Sequence, residues 1–592
     1  MLDALIRFSL KNRAFVIVAA LAVAVYGGYR GSQIPVDVFP DLNRPTVTVM
    51  AEAHGLAPEE VETLVSFPIE SSLNGASGVI RVRSASAVGL SIVWIEFDWG
   101  SDIYRARQIV SEKLQLVRSR LPADVNPVLA PITSIMGEVL LIGMQAGQTT
   151  SPMDLRTAAD WLIRPRLLAV SGVAQVTVMG GEMKQFHVLT SPERMARHDV
   201  TLDEVTRAVE RSNHATGGGF LLDKDRESVI RIVGRAESLD DIASTVVRPG
   251  EPVPITIREV ADVQFAAPVK RGEGSINASP AVIISVQKQP GADTLKLTAD
   301  IDRTLDEIKS SLPTDVTLNA DIFRQQRFID AAIANVIEAI RDGTIWVVVV
   351  LFLFLWNLRV SLVTLTAIPL SVVISALIFD FLGLTINTMT LGGLAVAIGE
   401  LVDDSIVDVE NVFRRLKENW AKPKPDPAIL VVFRASSEVR GSIVYATIVV
   451  LIVVLPLFAL PGLEGRLFAP LALSYLITLV ASLVVSLTVT PVLASYVLPG
   501  AKFLSKPGDP AFLRFLKWLD TRILRFSLKH TKQVLLAVLL LVVISLATLA
   551  GIGGEFLPEF NEGTLTIAAS CPPGTSLAES DRIGRRVEEL LR

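Results

Sequence analysis

The chain is 592 residues long, half of them hydrophobic and one fifth charged, with a mean hydropathy of +0.47. That balance excludes both a wholly soluble globular protein and a bare bundle of membrane helices, and calls for spanning helices joined to a large aqueous domain. A net charge of −5 gives no electrostatic footprint for nucleic acid, and the single cysteine, Cys571, excludes an internal disulfide framework.

The first apolar run, Ala14 to Tyr29, follows Arg7, Lys11 and Arg13. By itself that pattern also suits a signal peptide. An internal repeat favours an uncleaved span. IRFSLKN (Ile6–Asn12) returns as LRFSLKH (Leu524–His530), and FPDLNRPTVTV (Phe39–Val49) returns as LPEFNEGTLTI (Leu557–Ile567), both at an offset of 518. Each copy flanks a hydrophobic run, and an internal copy cannot be a cleaved leader. The first repeat unit is followed by only the start of a second, so the chain reads as part of a protein of about two such units.

From Pro45 onward, β and α signals alternate. Pro45–Ala53 reads as a strand, Ala57–Leu73 as a helix, Val79–Ala87 and Leu90–Phe97 as a hairpin, and Ser101–Leu121 as a second helix. That order suits a ferredoxin-like split βαβ unit. A second unit begins near Met136 and resumes near Ser275. The stretch between them, Met183 to Phe265, includes a Gly-rich hairpin at Ala215–Ile232, which suits either an ordinary surface hairpin or an arm reaching a neighbouring subunit.

Further spans are predicted at Thr344–Trp356, Val360–Leu382, Thr388–Phe413, Gly441–Leu460, Phe468–Leu498 and Val534–Ile552, seven with the first. The second is short and should begin before Thr344. Before the last lies FLRFLKWLDTRILRFSLKH, whose alternating aromatic and basic residues suit a helix in the membrane interface. Lys and Arg set the orientation. Seven crowd Arg414–Arg440 and eight lie between spans six and seven, whereas Gly383–Thr388 has none and Pro461–Arg466 one. The N-terminus is therefore expected in the cytoplasm and the large α+β region outside it.

The fourth span is unusual. Glu400, Asp403, Asp404, Asp408 and Glu410 follow the uncharged LGGLAVAI, and Arg414 and Arg415 come next. The middle of the span falls near Glu400, so Glu400, Asp403 and Asp404 are expected within the hydrocarbon and Asp408 and Glu410 nearer the cytoplasmic end. On a helix, Glu400, Asp404, Asp408 and Asn411 form one stripe, with Asp403 and Glu410 beside it. Leu401, Val402, Ile406, Val409 and Val412 cover the rest, so the acids can face a bundle interior. Three central charges would cost about 8–10 kcal/mol unless protonated or partnered, and titrating intramembrane acids suit a proton relay. The other predicted spans contain no Lys or Arg, so a cationic partner must come from the second half. An intramembrane aspartyl protease is a poor fit: it needs two aspartates on different helices, and no GxGD motif is present.

VDDSIVDVEN (Val402–Asn411) resembles the fourth-span motif of resistance–nodulation–division (RND) efflux transporters. IPVDVFPDL (Ile34–Leu42), SFPIESSLNG (Ser66–Gly75) and DIYRARQIVSEKL (Asp102–Leu114) are most similar to the heavy-metal-efflux branch. The resemblance implies a polytopic α-helical membrane protein with a large α+β (ferredoxin-like) periplasmic porter domain. It divides the chain into a first span (1–31), a first porter subdomain (32–132), a second porter subdomain (133–182 and 266–330) and a docking insertion with a hairpin (183–265). Spans two to six (331–500), an interfacial basic helix (501–532), a seventh span (533–552) and the start of a second-half porter domain (553–592) follow.

The resemblance further implies a multi-pass homotrimer in the bacterial inner membrane: a proton antiporter rather than an enzyme, without a cofactor, exporting heavy-metal cations. Its implied partners are a periplasmic adaptor (membrane fusion) protein, an outer-membrane channel and membrane lipid. Drug-like amphiphiles, or a lipid-, sterol- or protein-export role, are the alternatives. Asp403 and Asp404 match the family's proton-relay acids; the metal branch often keeps only the first, so the pair leans toward the multidrug pattern. Glu400, Asp408 and Glu410 are accessory candidates without an assigned role. The position near Ala568, where copper- and silver-exporting relatives place a thioether, carries no ligand, which leaves Cys571 as a weak metal candidate. Nine Met and five His show no soft-ligand enrichment. Met136, Met144, Met179, Met183 and Met195 are expected to be core packing.

Overall fold

The computed structural model describes residues 2–592 apart from 41, 43, 133–136, 214–215, 233, 251–252, 356–357, 500–510, 550, 552, 554–564 and 573. The chain forms two compact units. One comprises Met1–Gly137, Gln289–Lys296 and Gln325–Leu565; the other comprises Glu138–Lys288, Leu297–Arg324 and Thr566–Arg592.

The expected first-span segment divides into two helices at Asn12. α1 (Leu2–Lys11) is amphipathic and buries Ile6 and Leu10. Asp3 on α1 pairs with Arg440 and accepts a hydrogen bond from Ser437 Oγ at 3.0 Å. The apolar helix α2 (Arg13–Gly31) follows.

The first α+β subdomain has four strands: β1 (Thr46–Glu52), β2 (Val79–Ala87), β3 (Leu90–Phe97) and β4 (Pro127–Leu129). They pair antiparallel in the order β2-β3-β1-β4. Along β1, Val47, Val49 and Ala51 point to one side, the alternation a half-buried strand needs, and meet α3 (Phe67–Leu73) and α4 (Ile103–Val117). α4 buries Ala106, Val110, Leu114 and Val117 at helical spacing, and Asp102 caps it by accepting from Arg105 N at 2.8 Å.

The predicted helix Ala57–Leu73 is not uniform: a π-helical turn, Glu62–Ser66, precedes α3. Pro68 is the physical reason, since it has no N–H to donate and its ring crowds the preceding turn. In β3, Glu96 is 5% exposed and carries three guanidinium groups, from Arg81 (2.8 Å), Arg83 (3.2 Å) and Arg44 (3.7 Å).

The second subdomain repeats this design. β5 (Glu138–Ala146) and β6 (Val173–Met179) are separated from their partners by an insertion. Within it, β7 (Gln185–Thr190) pairs with β10 (Ala261–Ala266), helix α5 (Leu202–Ser212) packs beside them, and β8 (Thr216–Asp223) with β9 (Arg226–Ile232) forms the predicted hairpin. After the insertion come β11 (Val282–Lys288), α6 (Thr294–Lys309) and β12 (Val316–Arg324). The sheet order β12-β5-β11-β6 is the same permutation as in the first subdomain. Here too a π-helical turn, Ala159–Ile163, lies just before a proline, Pro165. Leu140, Ile142 and Met144 of β5 and Ile301 and Leu305 of α6 make the core. Core packing accounts for Met144, and Met195 packs against the insertion's own small core. It does not account for Met179 and Met183, which are 43% and 46% exposed. Met179 ends an edge strand and Met183 lies in the loop beyond it. Met136 is outside the described residues.

After β12 come the helices α7 (Gln325–Leu355), α8 (Leu358–Leu365), α9 (Ala367–Leu382), α10 (Thr388–Trp420), α11 (Ala428–Val454), α12 (Gly462–Val497), α13 (Ala511–Lys529), α14 (Thr531–Leu549) and α15 (Leu577–Leu591). Among the described residues, five helical stretches are long and apolar enough to cross a membrane: Arg13–Gly31, Arg359–Leu382, Ala428–Ala459, Gly462–Val497 and Thr531–Leu549. Of the predicted run Thr344–Trp356, Thr344–Leu355 is the apolar end of the longer α7 and Trp356 lies outside the described residues, while the predicted fourth span lies inside α10, whose acids lower its hydropathy. In α13, Trp518 stacks with Phe515 (ring centroids 6.0 Å apart) and lies under Arg522 (5.0 Å), while the first part of the predicted interfacial segment lies outside the described residues.

Candidate functional site

Backbone bonds fix the entry of α10. The segment after α2 pairs with the segment before α10: Ile386 N donates to Pro35 O (3.0 Å), Asp37 N to Ile386 O (2.9 Å) and Thr388 N to Val38 O (3.1 Å). Asn387 then caps α10, its Oδ1 accepting from Met389 N (3.0 Å) and Thr390 N (2.9 Å).

α10 runs beside α12 at very short range. Gly393 faces the Leu471 carbonyl group, and a Cβ there would overlap its oxygen. Ser474, Thr478, Ser482, Ser486 and Thr490 of α12 form a buried stripe at four-residue spacing. Ser474 Oγ donates to Thr390 O at 2.7 Å and Ser482 Oγ to Leu401 O at 3.1 Å. Small residues and hydroxyl-to-carbonyl bonds hold helices together where no hydrophobic gain separates helix from lipid.

This packing sorts the acids. Ala397, Leu401, Val409, Val412 and Leu416 are buried against neighbouring helices. Glu400, Asp403 and Glu410 are exposed in this chain, as is Val407 between the last two, and Asp404 is half-buried. Asp408 is 2% exposed. The stripe expected from periodicity is thus a gradient, from exposed Glu400 through Asp404 to buried Asp408 and Asn411. The structure keeps Asp403 and Asp404 adjacent but gives them different surroundings. Among the described residues no Lys or Arg pairs with either of them.

Toward its C-terminal end, α10 is tied to α11. Asn411 Nδ2 donates to Ala435 O (2.9 Å) and to Glu438 Oε2 (3.3 Å), and Arg414 donates to Asn411 Oδ1 (2.7 Å). Arg415 bridges Glu438 (2.5 Å) and Glu418 (2.8 Å). Sequence reasoning placed Asn411 on the acid stripe but missed its tie to α11, along with Ser436, Glu438 and the α12 hydroxyls. The four-residue spacing of Ser474 to Thr490 was the available signal.

Cys571 is a free, half-buried thiol. Among the described residues no group of three His, Cys, Asp or Glu side chains could hold a metal ion, with Cys571 or elsewhere.

Two ferredoxin-like subdomains and a helical bundle whose acid-bearing helix is fixed to a hydroxyl-rich neighbour define the RND architecture, a polytopic helical protein with an α+β region. A family model described as the AcrB/AcrD/AcrF family matches residues 5–592, and the chain belongs to that family. It is 32% identical over 612 residues to the cation efflux system protein CzcA of Alcaligenes sp. (strain CT14), covering 100% of this chain and 56% of that one. It is also 32% identical over 612 residues to the cation efflux system protein CusA of Escherichia coli (strain K12), covering 100% and 57%. The crystal structure of a heavy metal efflux pump superimposes with a TM-score of 0.83 at 26% identity, covering 99% of this chain and 56% of that chain. The chain thus spans little more than half the length of the relatives it matches.

Proposed function

We propose that this chain forms part of a proton-driven permease that exports heavy-metal cations. The permease is a trimer in the bacterial inner membrane, with its N-terminus in the cytoplasm, and works with a periplasmic adaptor protein and an outer-membrane channel. The segments 32–132 and 133–330 serve as porter subdomains, with 183–265 as the docking insertion. Kinship to cation efflux proteins supports the substrate class.

The observation that carries the mechanism is the position of Asp403 and Asp404. Both lie in mid-helix, Asp403 on the side of α10 that neighbouring helices of this chain leave uncovered and Asp404 half-buried beside it, while the opposite side is sealed by apolar packing. A carboxylate at that depth carries a cost of about 2.5–3.5 kcal/mol that protonation removes. Each unit charge also feels about 2.3 kcal/mol per 100 mV of membrane potential. Loading and releasing one proton therefore changes the preferred packing of α10 by a few kcal/mol, enough to shift a conformational equilibrium by tenfold or more.

The test is Asp403→Asn and Asp404→Asn in the intact transporter. Resistance of cells to zinc, cadmium and copper salts is measured alongside proton flux in liposomes. Asp403→Asn should abolish both at normal expression and trimer content, and Asp404→Asn should do nearly the same. Wild-type proton-coupled transport by Asp403→Asn would remove the relay assignment. Protection against amphiphilic drugs but no metal would remove the substrate class.

A further inference from the structure

Asp408 is buried more deeply than any other acid of α10, and the relay reading gives it no task. It is 2% exposed, and its Oδ2 has no hydrogen-bond partner among the described residues. Ser436 on α11 follows Ala435, whose carbonyl oxygen accepts from Asn411 Nδ2 at 2.9 Å, so it faces this part of α10. Ser436 is also 2% exposed, and its Oγ likewise completes no hydrogen bond. On the same helix, Ser405, fully buried, has an unpartnered Oγ. Buried polar atoms are almost always hydrogen-bonded, so three unpartnered ones within four residues of α10 and on the facing helix point to something exchanged there.

Resting on the relay reading above, we propose that Asp408, with Ser436 beside it, is a second proton carrier, taking the proton from Asp404 and releasing it toward the cytoplasm. The geometry fits a single step. Asp404 and Asp408 lie on one stripe four residues apart, a rise of about 6 Å, which one intervening water can bridge. In the transfer, the O–H bond of the Asp404 carboxyl group breaks and a new one forms on Asp408 Oδ2. Asp404 is left as the carboxylate that can be loaded again, and the proton then leaves Asp408 to restore its own carboxylate.

Ser436 suits both states. A hydroxyl group can accept from the protonated acid and, after rotating, donate to the carboxylate. A merely structural acid needs only one of these. Charged groups flank the site on several helices. On α10 they are Asp404 on one side and Arg414 on the other; on α11, Glu438 is reached through Asn411. The α12 residues packed here, Leu487 and Val492, carry no charge; α8 brings Arg359, just before the packed stretch Val360–Val363; and α1, whose Ile6 and Leu10 belong to the same cluster, brings Arg7, 5.2 Å from the Phe433 ring, and Asp3, paired with Arg440 of α11.

The experiment uses the intact transporter in liposomes, with zinc as the driven ion. Asp408→Asn should slow zinc-coupled proton flux by about a hundredfold, the low end of what a positioned proton-transfer group contributes. Asp408→Glu should restore part of the rate, and Ser436→Ala should slow it less. Infrared difference spectra between acid- and alkali-equilibrated protein should lose one carboxylic-acid C=O band in Asp408→Asn, and that band should shift in Ser436→Ala.

Wild-type flux in Asp408→Asn, or lost flux with the band intact, would overturn the proposal, as would a requirement for sodium in the wild type. If Asp408→Asn does not fold, Ser436→Ala decides, and an unshifted band overturns it. Failure of the relay reading itself shows separately, as coupled transport surviving in Asp403→Asn.

Discussion

Gly393→Ala tests how tightly the acid-bearing helix is held. The new Cβ overlaps the Leu471 carbonyl oxygen and lies 3.1 Å from Ser474 Cβ, so one helix backbone must yield. Overpacking of this kind costs about 1–3 kcal/mol. Separating α10 from α12 also weakens the Ser474–Thr390 and Ser482–Leu401 hydrogen bonds, each worth about 0.6 kcal/mol between helices in a bilayer. Alanine returns about 1 kcal/mol of helix propensity. The net destabilisation is about 1–3 kcal/mol. The same change at Gly441, where a Cβ meets nothing within 4 Å in this chain, gains the propensity alone and should stabilise.

The assay is thermal unfolding of the purified transporter in detergent, with zinc-dependent proton flux as the second readout. Gly393 lies two turns before Glu400, so its displacement should also lower flux. If Gly393→Ala melts with or above wild type and transports normally, the close α10–α12 contact is refuted.

Two further outcomes are expected outside the bundle. Glu96→Gln removes the one carboxylate shared by Arg44, Arg81 and Arg83. Because two of these arginines are more than half exposed, screening limits the loss to about 1–3 kcal/mol, read as faster amide exchange along β2 and β3; unchanged exchange would count against it. Glu204, near the start of α5, accepts from Thr201 N (2.8 Å) and Arg248 (2.7 Å), and these bonds, the backbone one foremost, lower its pKa from 4.5 to about 2. Its stabilisation is therefore complete above pH 4.5 and disappears as pH falls toward about 2. The ratio of α5 amide exchange in Glu204→Gln to that in wild type should fall to one over that range, and a ratio independent of pH would refute the linkage.

Much of the architecture could be read without coordinates because it rests on local periodicity. Alternating Val and Ala in β1, four-residue spacing in α4 and long uncharged runs each report burial through a repeat the backbone imposes. The offset of 518 and the fourth-span motif identified the family. The details that failed were ones periodicity does not encode. Two prolines converted a turn of helix to π geometry, Asn12 split the N-terminal segment, and Met179 and Met183 proved exposed because edge and loop position depend on strand order.

The acids illustrate the division most clearly. Sequence alone determined that Glu400, Asp404, Asp408 and Asn411 share one stripe of α10, since a helix returns to the same face every 3.6 residues. It could not determine which of them water reaches. Only the tertiary structure decided that: the crossing of α11 covers Asp408 and Asn411, the close approach of α12 at Gly393 seals the apolar face, and Asp403 and Glu400 are left uncovered by this chain. The physical reason is that burial of a side chain depends on helices distant in the sequence, whose packing angle and register arise from many contacts at once and leave no mark in the spacing of the acids themselves.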